Sequence, residues 1–145
     1  MRCIKMETDF IAKLNQQWTE IYYLLHYQHK DNISHQAIRI MQHIEKQGEA
    51  TIGALAEYLS VSHNTASEHI KRLIQKGFIA KRRSQQDERK VFVFLTQEGR
   101  AVLEQHTQLD KEKLKEIIER MSTSEKELVE QAFELLSRKA KQWQF

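Results

Sequence analysis

Proline is absent from this chain of 145 residues, glycine occurs four times and cysteine once. Such a composition has no flexible linker and no low-complexity segment, and no internal repeat is visible. A single cysteine, Cys3, excludes an internal disulfide framework and leaves a free or intermolecular thiol. No apolar run approaches the ~20 residues that a membrane span needs. The opening, Met1 to Phe10, is basic at Arg2 and Lys5 but lacks the apolar region and cleavage site of a signal peptide, so a cytoplasmic protein is expected. What the chain does have is 40% apolar and 30% charged residues. That is the composition of one globular domain with a real core, leaning towards long helices.

The formal net charge of +3 is unevenly spread. From His63 to Lys90 there are eight Lys/Arg against three Asp/Glu, whereas residues 1–62 and 91–145 each sum to −1. A local excess of this kind is what duplex DNA binding requires.

The basic stretch lies inside a longer pattern, Thr51 to Gly99. Thr51 is a plausible N-cap, with Ile52, Leu55, Ala56 and Leu59 at helical spacing behind it. Ser60-Val61-Ser62 breaks the helix and Ser62 can cap the next one. That second helix has Ala66, Ile70, Leu73 and Ile74 on its inner face and stops at Gly77, which tolerates a left-handed conformation. Its outer face carries His63, Asn64, Ser67, Glu68, Lys71 and Gln75. Phe78-Ile79 opens a strand, Val91 to Leu95 closes one, and Ser84 to Lys90 forms a polar tip. Lys81, Arg82, Arg83, Arg89 and Lys90 surround this hairpin. Two short helices with a tight turn and a basic hairpin make a winged helix-turn-helix.

The flanks read as long helices. One runs from about Met6 to His29, with Ile11, Leu14, Trp18, Ile21 and Leu25 as a stripe widened by Phe10 and Tyr22. The break Lys30-Asp31-Asn32 follows, then a helix capped by Ser34 and running through Lys46 on Ala37, Met41 and Ile44, flanked by Ile38 and Ile40. After Thr96 one long helix is expected to about Arg120. Ser122-Thr123-Ser124-Glu125 is a helix-start signal, and the last helix is expected to bury Leu128, Val129, Ala132, Phe133, Leu136 and Trp143. A small winged domain cannot cover both terminal stripes. Pairing two copies about a two-fold axis would, and would set two recognition helices about one DNA turn apart.

The run from Leu59 to Ile79, the Asp-x-Arg at Asp87 and Arg89, and Leu95-Thr96-x-x-Gly99 resemble the winged core of the MarR family of bacterial transcription regulators. These motifs cover about a third of the chain, and the length and helical flanks suit the rest. Ala66, Glu68, Lys81 and Arg83 depart from residues common in that family. The resemblance implies a mainly α fold with a small β-hairpin wing, spanning residues 1–145, with the winged core at 34–99 and dimerisation helices at 1–30 and 100–145. It also implies an obligate homodimer on a pseudo-palindromic double-stranded DNA operator, a repressor released by a small ligand or by oxidation. Arg89 could simply pair with Asp87, and the resemblance implies that this pair holds the wing so that Arg89 enters the minor groove; both can be true at once.

The expected DNA-binding residues are Ser62, His63, Asn64, Thr65, Ser67, Glu68, Lys71, Arg72 and Gln75 on the helix and Arg83, Asp87, Arg89 and Lys90 on the wing. Asn64 suits adenine and Glu68 a cytosine amino group, whereas Lys71 and Arg72 suit phosphate. Taken alone, the helix face reads equally as a solvated surface; the wing and the local charge favour DNA. Trp18, Tyr22, Tyr23 and His26 are candidates for an effector pocket, with dimer-contact aromatics as the plainer reading. His26, His29, His35, His43 and His106 invite a metal site, but no HxxxH or CxxC spacing supports one, and no metal or cofactor is expected. Cys3 is weighed as a redox sensor against an inert thiol. An architectural DNA binder without an effector shares the core signals. No nucleophile elbow, phosphate loop or paired acids point to an enzyme.

Overall fold

The computed structural model describes residues 2–28 and 32–143. They divide into two compact units, one of residues 26–108, the other of residues up to Leu25 together with those from Leu109 onward. In chain order the elements are α1 (Arg2–Leu25), α2 (His35–Gln47), β1 (Ala50–Thr51), α3 (Ile52–Leu59), α4 (His63–Gln75), β2 (Ile79–Arg83), β3 (Val91–Leu95), α5 (Gln97–Thr107), α6 (Lys111–Glu119) and α7 (Thr123–Gln142). The expected class, mainly helical with a small hairpin wing, is borne out.

The unit of residues 26–108 holds the core. Ile40, Met41 and Ile44 of α2, Leu55 of α3, and Ile70 and Leu73 of α4 close on Ile79, Val93, Leu95 and Leu103, each almost fully buried. Hydroxyls start the helices where a free N–H needs an acceptor: Ser34 accepts from Ala37 N, Thr51 from Ala54 N and Ser62 from Thr65 N, each at 3.1 Å. α2 and α4 stop beside Gly48 and Gly77, with φ of 82° and 79°. The antiparallel sheet has the order β1-β3-β2. Ala50–Thr51 pairs with Val93 and Phe92, so the expected hairpin gains a third strand. Two residues are too few to carry a strand signature of their own.

The Leu95-Thr96-x-x-Gly99 motif has a mechanical reason. The Thr96 N–H donates to Phe78 O at 3.1 Å, its hydroxyl donates to Gly77 O at 2.6 Å and accepts from Gly99 N at 3.0 Å. These bonds draw the start of α5 against the residues that lead into β2. A Cβ on Gly99 would stand 2.0 Å from Phe78 O, so a side chain there requires the backbone to move.

The flanking helices depart from expectation in three ways. α1 begins at Arg2 and ends at Leu25, earlier at both ends than Met6 and His29; His29 and the break at Lys30-Asp31 lie outside the described residues. The single long helix expected from Thr96 to Arg120 is two helices. Gln108 turns extended (φ −104°, ψ 161°), and Asp110 starts α6 by accepting from Glu112 N at 3.0 Å and Lys113 N at 3.4 Å. The Asp110 N–H donates in turn to Leu25 O at 2.7 Å. Leu128, Val129, Ala132, Phe133, Leu136 and Trp143, expected to be buried, are all exposed, because α7 buries no residue within its own chain. Its start does follow the signal: Ser122 is the cap in a full capping box with Glu125.

Candidate nucleic-acid interface

α4 presents its two faces as the sequence pattern demands. Ala66, Ile70 and Leu73 face the core, while Ile74 is half-buried. On the outside, His63, Asn64, Thr65, Glu68, Lys71, Arg72 and Gln75 are exposed and Ser67 is half-buried. Ser62, although exposed, is engaged: its oxygen caps the helix and also lies 2.9 Å from the Thr65 hydroxyl. The preceding turn is tight because Ser60 adopts the left-handed region (φ 54°) and the Val61 N–H closes onto Ala56 O at 3.0 Å.

The wing is built by strand alternation. β2 and β3 pair Lys81 with Val93, Arg82 with Phe92 and Arg83 with Val91. Paired residues share a face, so Lys81 and Arg83 stand with Val91 and Val93, and Arg82 stands on the opposite face with Phe92. Lys81, Val91 and Val93 join Ser67, Ile70, Lys71, Ile74 and Gln75 of α4 and Ile52 around a groove of about 380 Å³ between recognition helix and wing. A second groove of about 310 Å³ flanks α4 on its other side, lined by His69, Arg72 and Lys76 and by Asn32, Ile33, Ser34 and Ala37. There the Lys76 ammonium donates to Asn32 O at 3.2 Å.

At the wing tip, Ser84 N donates to Lys90 O and Lys90 N to Asp87 O, each at 2.9 Å. Asp87 accepts from the backbone N–H of Arg89 at 3.0 Å. The carboxylate therefore shapes the turn and not the guanidinium, which stays exposed beside exposed Arg83 and Lys90. Arg82, counted in the sequence among the five wing cations, is engaged elsewhere: it forms an ion pair with Glu49 and lies 5.1 Å from the Phe92 ring centroid. The strand register, alternating Lys81-Arg82-Arg83, was the signal that could have set it apart.

The remaining candidates are less concentrated. Trp18 and Tyr23 are exposed on α1, Tyr22 is half-buried, and His26, just beyond the helix, is half-buried in the unit of residues 26–108. Cys3 is exposed in the first turn of α1. Among the described residues no three His, Cys, Asp or Glu side chains converge as a metal would need. No helix among them is long and apolar enough to cross a membrane.

Two helices joined by a tight turn, a polar outward helix and a basic three-stranded wing define a winged helix-turn-helix of the MarR type. The resemblance seen in the sequence is borne out. Residues 23–106 match the family model described as transcriptional regulator SarA/Rot, more than half of the chain, and the chain belongs to that family of transcription regulators. FabT of Streptococcus pneumoniae, solved in complex with DNA, is 24% identical, with 97% of this chain and 99% of that one covered at a TM-score of 0.58. RV1404 of Mycobacterium tuberculosis is 19% identical over 93% and 92% of the two chains, with a TM-score of 0.66. A MarR-like transcriptional regulator of Thermotoga maritima is 17% identical over 92% and 96%, with a TM-score of 0.61. At these identities the three structures establish the fold. No curated protein sequence matches the chain.

Proposed function

We propose that the protein is a homodimeric, sequence-specific DNA-binding repressor in the cytoplasm, without a catalytic step, that sits on a pseudo-palindromic operator and leaves it when a small ligand binds. The observation that carries the DNA-binding reading is the exposed face of α4, polar and basic from His63 to Gln75, in the same compact unit as a wing with exposed Arg83, Arg89 and Lys90. α4 enters the major groove, where Asn64 and Glu68 address base edges and Lys71 and Arg72 meet phosphate. His63, Thr65, Ser67 and Gln75 complete that surface, with Ser62 holding its first turn. Asp87 holds the tip backbone, and Arg89 reaches a minor groove whose narrow A·T-rich stretches attract a guanidinium.

Support for the dimer comes from the apolar residues that α1 and α7 leave exposed, among them Phe10, Trp18, Phe133 and Leu136. Exposed apolar surface on this scale marks an interaction site. Pairing these helices with their copies makes 1–30 and 100–145 the dimerisation elements around a winged core at 34–99. Trp18, Tyr22 and Tyr23 on α1 are the residues we assign to the effector.

Fluorescence anisotropy on operator and random duplexes at three salt concentrations tests the reading. Removing one cation that neutralises a phosphate should flatten the slope of log affinity against log salt by about 0.9. Lys71→Ala is expected to weaken both duplexes with a shallower slope. Asn64→Ala or Glu68→Ala is expected to cost about 1–3 kcal/mol on the operator and little on random DNA. Operator preference surviving both of the latter changes would remove α4 as the reader.

A further inference from the structure

Beyond β1 the wing is a two-stranded ribbon. Ala50 and Thr51 pair with Val93 and Phe92, so the Arg82–Phe92 rung is the last that is three strands wide, and beyond it only Arg83 with Val91 leads to the tip. Two-stranded ribbons have the widest range of twist, so something at the root must choose one direction for the tip to point. The bonds within the tip, from Ser84 to Lys90, give it a shape but no direction. At the root, Arg82 bridges β3: its guanidinium lies 5.1 Å from the Phe92 ring centroid and its charge is met by the Glu49 carboxylate. Glu49 directly follows Gly48, which ends α2 with φ 82°, and directly precedes β1. The ion pair therefore ties the outermost strand of the wing to the end of α2, a core helix, across the intervening strand. Arg82 itself stands on the face opposite Lys81 and Arg83.

We propose that Glu49 and Arg82 are positioning residues that fix the direction of the wing, and so determine how far Arg89 favours A·T-rich flanks, while Arg82 contacts no phosphate. The inference rests on the DNA-binding reading above. It carries a consequence opposite to simple charge counting. Removing a carboxylate from a DNA-binding protein should, by Coulomb attraction alone, tighten DNA binding. If Glu49 acts as a latch, removing its charge weakens operator binding.

Two measurements test this. The first is hydrogen exchange of the free protein, which needs no DNA. Glu49→Gln keeps the shape of the side chain, and the amides of residues 84–90 should exchange faster than in the wild type while α2 and α4 stay unchanged. The second is anisotropy on operators with A·T-rich and G·C-rich flanks. Glu49→Gln should reduce the preference for A·T flanks by about two- to fivefold, the range an exposed ion pair can supply, with an unchanged salt slope. Arg82→Lys keeps the charge but replaces the planar guanidinium with an ammonium, and should fall between wild type and Glu49→Gln. The double change Glu49→Gln/Arg82→Gln should be no worse than either single one. Tighter binding with a steeper slope in Glu49→Gln would mean that Arg82 is a restrained phosphate contact and overturns the proposal. Unchanged exchange at residues 84–90, or unchanged flank preference, overturns it as well. A wild-type chain that binds no duplex sinks the DNA-binding reading instead, and the exchange result still decides whether the latch exists.

Discussion

The two units of this protein are built from helices with similar apolar stripes, yet they end in opposite states. Every buried apolar side chain among the described residues lies between Ala37 and Leu103, while α1, α6 and α7 bury none. Of the large exposed apolar residues from Ile4 to Trp143, all but Tyr58 fall in the unit that contains those three helices. Helical periodicity thus measures a helix's demand for a partner and says nothing about whether its own chain supplies one. In residues 26–108 the demand is met internally by α2 to α5 and the sheet. In the terminal unit it is left unmet by the described residues, which is the ground on which the dimer is proposed.

The largest effect that can break this contrast comes from deleting residues 1–25. Sedimentation is expected to find a poorly soluble monomer, with operator affinity down by about 10²–10⁴ once the two half-sites are no longer linked. A well-folded monomer with native operator affinity would show that the terminal unit is not the interface. Next come paired core and surface truncations. Ile44, fully buried, should lose about 2–5 kcal/mol as Ile44→Ala, independent of protein concentration. Phe133, 47% exposed, should as Phe133→Ala weaken the dimer by about tenfold. Its effect on the melting temperature should vanish on dilution to monomer, since only assembly is touched. Equal concentration dependence in the two variants would erase the distinction between the units.

Gly99→Ala sharpens the comparison from inside the core unit. The added carbon meets Phe78 O at 2.0 Å, a backbone atom that moves only with the entry to β2. A loss of about 1–3 kcal/mol is expected in denaturant melts. The wing should respond too, because Thr96 ties the same junction through Gly77 O and Phe78 O.

The contrast also explains what was legible in the sequence. Local signals were read well because their chemistry is local: Ser34, Thr51 and Ser62 cap where expected, and Gly77 ends the recognition helix. The outward residues of α4 follow from period and burial, with Ser62 and Thr65 the pair turned to capping. The break between α5 and α6 was hidden because Leu103 and Leu114, and likewise Val102 and Leu109, would share a face of one continuous helix, with no glycine or proline to punctuate. Asp110 followed by Glu112 was the available clue, an acidic cap with an acid in the first turn. The burial expected for Leu128 and Phe133 failed for a different reason. No described residue of the chain covers them, and the broad apolar stripes at both ends were the sequence sign on which a second copy is proposed. The Glu49–Arg82 contact depends on a pairing 33 residues apart, beyond any local pattern.

The smallest effect concerns the start of α7, where the terminal unit relies on local bonds and not on a core. Ser122 accepts from Glu125 N at 3.1 Å, and the Glu125 carboxylate accepts from Ser122 N at 3.1 Å. The bond from the Ser122 backbone, and secondarily that from its side chain, hold the Glu125 carboxyl below its ordinary value of 4.5. A depressed carboxyl stabilises the folded form in full above its unfolded value and loses that contribution as pH falls through the folded one. Acid should therefore fray the first turn of α7 below about pH 4.5, while the hydroxyl caps of Ser34, Thr51 and Ser62 do not titrate. Glu125→Gln retains an acceptor for the capping box but has nothing to protonate. Amide signals of Ser122 to Lys126, followed by NMR from pH 6 to pH 3, should shift in the wild type and stay level in Glu125→Gln. The same titration curve in both proteins would show that the end frays for some reason other than this carboxylate.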